Sequence, residues 1–259
     1  MATVSSLKVS SITLNLDSYS TGIFTPNANL LLVGFAAASG TVTSFALMEC
    51  TSQPWTTFSF ITSARWQAGN YKLFSFVSNG LTTGSPINVR FSGSGDPATG
   101  CIINVFGLSS MSFTGATAVV QLARQDNQLV STRPSPTFAS TTLNTNVLIG
   151  GVAMNSSPPG MTPTTDWIEG YDTGYSTPTT GLHSQYVNSG VASTAINWGS
   201  SSDAANCSIV LELDASGGAP PATQMFMMFP PRIDGIGRGG IFPGNRLEAP
   251  IRLWNYKVV

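Results

Sequence analysis

Charge is what this chain has least of. Only 9% of its 259 residues are Asp, Glu, Lys or Arg, against about 25% in an ordinary globular domain. The Lys/Glu-rich surface of a typical cytosolic enzyme is therefore excluded, and Ser, Thr, Asn and Gln supply the polar exterior. A net charge of −1 gives no general attraction to nucleic acid. Histidine is nearly missing too. Any Ser-His-Asp triad would have to use the single His183, and no Gly-x-Ser-x-Gly elbow offers a nucleophile. Its alternation with Leu182 and Ser184 predicts a surface strand position. Cysteine is scarce: Cys50, Cys101 and Cys207 are odd in number and lack metal-ligand spacing. Each adjoins an apolar run, which predicts buried free thiols.

Long apolar runs and helical periodicity are also missing. No stretch of about 18 apolar residues exists, so no transmembrane helix and no membrane partner are expected. The opening Met1-Ala-Thr-Val-Ser-Ser lacks the basic start and apolar stretch of a secretory leader. The twelve acidic residues form no catalytic spacing. In Asp166-Trp-Ile-Glu-Gly-Tyr-Asp172, regular strand alternation sends Asp166 and Glu169 to opposite faces, so they cannot serve as acid and nucleophile of a glycosidase. Glu212 and Asp214 share a face of the last strand. No Asp-x-Asp-x-Asp-Gly calcium loop is present. Neither a catalytic activity nor a metal or other cofactor is expected.

What the chain does have is β-pattern. Short β-branched and aromatic runs are separated by Gly, Pro, Asn, Ser and Thr at the spacing of an all-β sandwich. Strands are predicted near 7–16, 29–37, 42–49, 56–62, 71–77, 87–92, 101–108, 118–122, 147–154, 166–171, 182–187, 195–198 and 207–213. Along 71–77, Leu73 and Ser75 share one face and Phe74 and Phe76 the other. The runs Asn29-Leu-Leu-Leu-Val-Gly-Phe and Val147-Leu-Ile-Gly-Gly-Val-Ala are apolar throughout. They predict central strands, or strands that a partner buries on both faces. Residues 125–141, with Pro134 and Pro136, read as a long polar connection within one sandwich.

The composition breaks after Gly217. Residues 218–259 carry prolines 220, 221, 230, 231, 243 and 250, and five of the eleven basic residues. With Asp234 and Glu248 counted, this segment has a net charge of +3 and the remainder −4. A Pro-broken stretch that nonetheless bears Met225, Phe226, Met228, Phe229, Phe242, Leu253, Trp254 and Tyr256 has the composition of an arm that orders on a partner. Arg232, Arg238 and Arg246 add polar anchors. Residues 251–259 alternate and would add to a sheet edge of another chain. Two regions follow: a sandwich over 1–217 and an extended assembly arm over 218–259.

The motif order over about 29–214 resembles the concanavalin-like jelly-roll modules of phage virion and bacterial surface proteins. The opening Asn29-Leu-Leu-Leu-Val-Gly-Phe-Ala run carries the likeness, with Lys72-Leu-Phe-Ser-Phe, Pro86-Ile-Asn-Val-Arg-Phe-Ser-Gly, Cys101-Ile-Ile-Asn-Val-Phe-Gly-Leu, Asp166-Trp-Ile-Glu-Gly-Tyr-Asp-Thr-Gly-Tyr and Ser208-Ile-Val-Leu-Glu-Leu. The resemblance implies an antiparallel jelly-roll sandwich without a shared catalytic motif. With the low charge and the arm, it leads to the expectation of a non-enzymatic virion structural protein. Such a protein would decorate or stabilise a capsid. Its arm would dock onto the major capsid protein or onto sister subunits of a homo-oligomer, a trimer being common for such jelly rolls. The alternative is a glycan-binding, lectin-like module of a tail fibre or cell surface, with Trp167, Tyr171 and Tyr175 as its aromatic platform.

Overall fold

The computed structural model describes residues 2–215, apart from 15, 43–44, 66–70, 95–99, 129–131, 157–158, 177–178, 190 and 202–203. The arm expected over 218–259, with its eleven candidate contact residues, lies outside the described residues. So does Trp66.

Among the described residues there are thirteen strands and one 3-10 turn (Gly115–Ala118). The first sheet has the order β1 (Val4–Ile12), β8 (Gly100–Leu108), β3 (Ala28–Val42), β6 (Tyr71–Thr83), β5 (Phe58–Ala64). The second runs β11 (Ile168–Ser176), β12 (Thr179–Val187), β10 (Val147–Met154), β13 (Asn206–Leu213), β9 (Val119–Gln128). A third, smaller sheet orders β2 (Ser18–Phe24), β7 (Ile87–Ser94), β4 (Phe45–Cys50). Every pairing is antiparallel. Residues before the 3-10 turn build the first and third sheets, and residues after it build the second.

The protein is thus an all-β sandwich, and alternation explains its layering. Along β3, Leu31, Val33, Phe35 and Ala37 pack against the second sheet, while Leu30, Leu32, Ala36 and Ala38 pack toward the third. Along β6, Leu73 and Val77 take the first side and Phe74 and Phe76 the second. The central strands of the first sheet are therefore buried on both faces, which is why β3 reads as an unbroken apolar run. The second sheet is double-sided as well. Val147, Ile149 and Ala153 face the inner core, while Leu148, Val152 and Met154 lie under a roof of loops that contributes Phe138, Met161, Trp167, Ile196 and Trp198. Gly150 and Gly151 serve opposite faces. A Cβ on Gly151 would sit 3.1 Å from the Phe35 ring, and one on Gly150 would sit 3.1 Å from Trp198.

Phe106 knits the two large sheets together. Its ring lies 6.4 Å from Phe35, 5.4 Å from Tyr171 and 6.1 Å from Tyr186, all in edge or tilted contacts. Such pairs add about 0.5–1.5 kcal/mol each beyond burial.

The expected strands are present with one exception, and one strand was not expected. Residues 195–198 are loop, with one isolated Thr137–Ala195 bridge to another loop. Their apolar side chains cap the second sheet instead. β2 escapes a periodicity reading because its exposed Ile23 and buried Tyr19 sit among Ser, Thr and Gly. β9 continues to Gln128, into the stretch read as a connection, and the rest of that connection packs Phe138 into the roof.

Phe106→Ala is expected to lower unfolding free energy by about 3–5 kcal/mol, while Ile23→Ala, at a residue 75% exposed, changes it by no more than about 0.5 kcal/mol. Urea titration of both variants reads the difference, and equal effects would contradict this account of the core.

Candidate functional site

The three aromatics expected to form a sugar platform do not share a surface. Trp167 is only 7% exposed and belongs to the roof on the outer side of the second sheet. Tyr171 packs on Phe106 at the inner side, where burial, and to a lesser degree Tyr186, pushes its phenol up to about 12. Tyr175, also 7% exposed, joins the inner core, its hydroxyl placed where a Cβ on Gly100 would be. The platform fails because the register shift between Glu169 and Tyr171 puts Trp167 on the opposite side from Tyr171 and Tyr175, and because all three rings serve packing.

A different constellation forms on the outer face of β11 and β12. Register pairs Glu169 with Gln185, Tyr171 with Ser184, and Asp172 with His183, leaving Gly170 as an extra residue in a bulge. Directly opposed residues share a face. The bulge therefore brings Glu169 and Asp172, three apart in sequence, onto the same side as His183 and Gln185. Regular alternation would separate them. The signal in the sequence was the lone glycine inside a strand pattern, which marks a bulge. Gly170 also lies against Phe106, with only 2.6 Å between that ring and an added Cβ, so a side chain there would meet the core.

His183 is not at the surface, as alternation with Leu182 and Ser184 suggested. It is fully buried, because the roof covers the face to which alternation assigns it. Trp198 Nε1–H donates to His183 Nδ1 at 3.0 Å. The indole is only a donor, so Nδ1 must be bare and the ring proton must sit on Nε2. That Nε2–H has no hydrogen-bond partner among the described residues and lies 3.9 Å from Glu169 Oε1. Burial lowers the imidazole to about 4. It is a neutral, fixed donor whose acceptor nitrogen is already occupied, so it is not poised as a general base.

The neighbours complete a polar pocket. Asp172 Oδ2 accepts from the Gly160 amide at 3.1 Å, and Gln185 Oε1 accepts from the Thr164 amide at 2.7 Å. Thr164 Oγ1, Asp172 Oδ1 and Gln185 Nε2 are buried without partners among the described residues. Burial first, then Glu169, raises the Asp172 carboxyl. Beside this pocket a groove of about 280 Å³ runs between Thr164, Trp167, Val187, Ser193, Ile196 and Asn197.

No protein-family model matches the chain, and no curated protein is significantly similar to it. What the site can do must therefore come from its own geometry.

Glu212, the other acidic candidate, is fully buried. Its carboxylate accepts from Gln121 Nε2 at 2.6 Å, Leu143 N at 2.7 Å and Asn146 Nδ2 at 2.8 Å. Gln121 in turn holds Ser140 through its backbone amide and hydroxyl. This hub ties residues 140–146 to β13, and its oxygens are committed to structure. Among the described residues, no group of three or more His, Cys, Asp and Glu side chains is placed to hold a metal ion. All three thiols are buried and free. Burial pushes Cys50 up to about 11 and raises Cys101 and Cys207 well above the ordinary thiol value.

Glu212→Ala is expected to cost about 3–5 kcal/mol, because three buried donors lose a charged acceptor. Arg90→Ala, which removes a half-exposed partner of Glu49, costs less than about 1 kcal/mol. Thermal or urea denaturation separates the two, and a near-neutral Glu212→Ala would remove the hub from the account. A disulfide-exchange thiol reagent at pH 8 should label none of the three cysteines in the native protein and all three in denaturant. Rapid native labelling would contradict their burial.

Proposed function

We propose that this protein is a non-enzymatic phage virion structural protein, a capsid decoration or stabilising protein that docks through residues 218–259. The fold we assign to it within the all-β class is a concanavalin-like jelly roll. That finer reading rests on two facing five-stranded antiparallel sheets whose neighbours are mostly non-consecutive.

One observation carries the functional reading. The described residues form three apolar clusters, while the composition turns basic, Pro-broken and rich in Met and aromatics beyond Gly217. A segment of that composition is suited to ordering on a neighbouring chain. The low charge of the body suits a surface packed among neighbours, and repetition on a symmetric shell makes individually weak arm contacts effective. Buried aromatics in an arm interface would contribute about 2 kcal/mol or more each, with Trp254 and Phe229 as the leading anchors.

The glycan-binding alternative finds its support in the groove beside Trp167, whose wall mixes hydroxyl, amide and apolar groups. It no longer draws on Tyr171 or Tyr175.

Light scattering coupled to size exclusion, on the full chain and on residues 1–217, tests the assembly reading. The expected outcome is a defined oligomer for the full chain and a folded monomer for 1–217, with Trp254→Ala weakening association about 30-fold. Identical monomers would overturn arm-mediated self-association. An unfolded truncation would show that the tail belongs to the core.

A further inference from the structure

Trp198 lies at the centre of the roof over the second sheet, which Thr164 N also ties to Gln185 Oε1 at 2.7 Å. Trp198 is fully buried among Phe138, Met161, Trp167 and Ile196 from the loops and Leu148, Val152 and Val210 from the sheet. Its backbone amide donates to Pro134 O at 3.1 Å, and the next amide, Gly199, donates to Thr162 O at 3.0 Å. Ile196 N donates to Pro136 O, and Phe138 N to Thr194 O. Three loops, around 134–138, 161–167 and 191–199, therefore meet at this ring. Among the described residues, the ring's polar tie to the sheet beneath is the bond from Nε1–H to His183 Nδ1.

That bond exists in only one protonation state of the imidazole. A proton on Nδ1 would set an N–H donor against the indole N–H donor at 3.0 Å, and neither group could accept. We propose that the His183–Trp198 pair is an acid-labile latch: protonation of His183 expels Trp198 and releases the loop roof from the second sheet while the paired sheets stay folded. The groove between Thr164 and Asn197 is built from these same loops, so it changes shape with the roof.

The surroundings of His183 set the direction of the effect. From β11 it faces Glu169, 3.9 Å away and about half exposed, and the cross-strand Asp172. From β10 it faces Val152, and from the roof Trp198, neither of which titrates. The closed state holds the imidazole at about 4, below its ordinary 6.5. An opened roof restores the ordinary value. Opening therefore takes up a proton, and the closed roof is fully favoured above about 6.5 and loses ground as pH falls toward 4. Asp172 acts oppositely: its carboxyl is raised in the closed state, so its proton favours closure as pH falls into the carboxyl range.

The chain has one histidine, so imidazole signals of the labelled full-length protein report His183 alone. Nuclear magnetic resonance at pH 7 should find the Nε2–H tautomer, with a titration midpoint far below 6.5. Amide exchange in 191–199, corrected for intrinsic rates, should accelerate about tenfold per pH unit below about 6.5, while β3 and β8 stay protected. His183→Gln, whose amide oxygen can still accept from Trp198, should lose this acid response. The proposal is overturned by an ordinary midpoint, by loop and sheet amides opening together, or by an unchanged acid response in His183→Gln. If that variant does not fold, the wild type decides: loop opening that does not follow the His183 titration also refutes the latch.

Discussion

Burial of the first sheet on both faces is the constraint on which the rest of the structure depends. A strand covered on one side alternates, but β3 and β8 cannot, because each face must be apolar. Leu31, Val33, Phe35 and Ala37 need the second sheet, and Leu30, Leu32, Ala36 and Ala38 need the third. The small β2-β7-β4 sheet is there to meet that need, placing Met48, Val89 and Phe91 on the far side. Fully burying a side chain of this size is worth about 1.5–3 kcal/mol, so an uncovered face of β3 would be a heavy liability. The close fit also restricts side chains: Gly34 lies so near Met48 that an added Cβ would displace its thioether.

The second sheet meets the same requirement by different means. Among the described residues, no further sheet covers its outer face. Loops do, and loops bring polar backbone that must find partners. That is why this face carries His183, Gln185, Asn206, Ser208 and Glu212 among its apolar residues. Among the polar ties that hold the cover down, two differ in kind. Glu212 gathers three donors around residues 140–146, and His183 accepts from Trp198. The first anchor is a charged group saturated with hydrogen bonds; the second is a neutral ring that works in one tautomer only. The part of the protein with the least regular structure therefore depends most on specific polar chemistry, and the pocket of unpartnered polar atoms and the groove both lie there.

Much of this was legible from sequence for a physical reason. Alternation in 71–77 and the unbroken runs at 29–35 and 147–153 follow directly from which faces are buried, and the structure places them as that logic requires. Burial of the three cysteines was legible in the same way. What stayed hidden depends on non-local pairing. The bulge at Gly170 puts Glu169 and Asp172 on one face, and only the register against β12 reveals it. The burial of His183 depends on loops around 134–138 and 161–167 upstream and on 191–199 downstream folding back over β12. The aromatic platform failed because Trp167, Tyr171 and Tyr175 are near in sequence but divided between two layers. Residues 195–198 look like a strand because a roof segment also needs apolar side chains.

The functional proposal joins this architecture to a compositional boundary: a body that covers its own apolar faces, followed by a segment whose composition calls for a partner. Its physical foundation is that both faces of the first sheet are covered within one chain and not by a neighbouring copy. Native-state hydrogen exchange of the full-length protein, followed over a wide dilution series, tests this most directly. The account predicts that the slowest amides lie in β3 and β8 and that their protection does not change with concentration. Protection of those strands that falls on dilution, or that is no greater than in the edge strands β2 and β4, would contradict it.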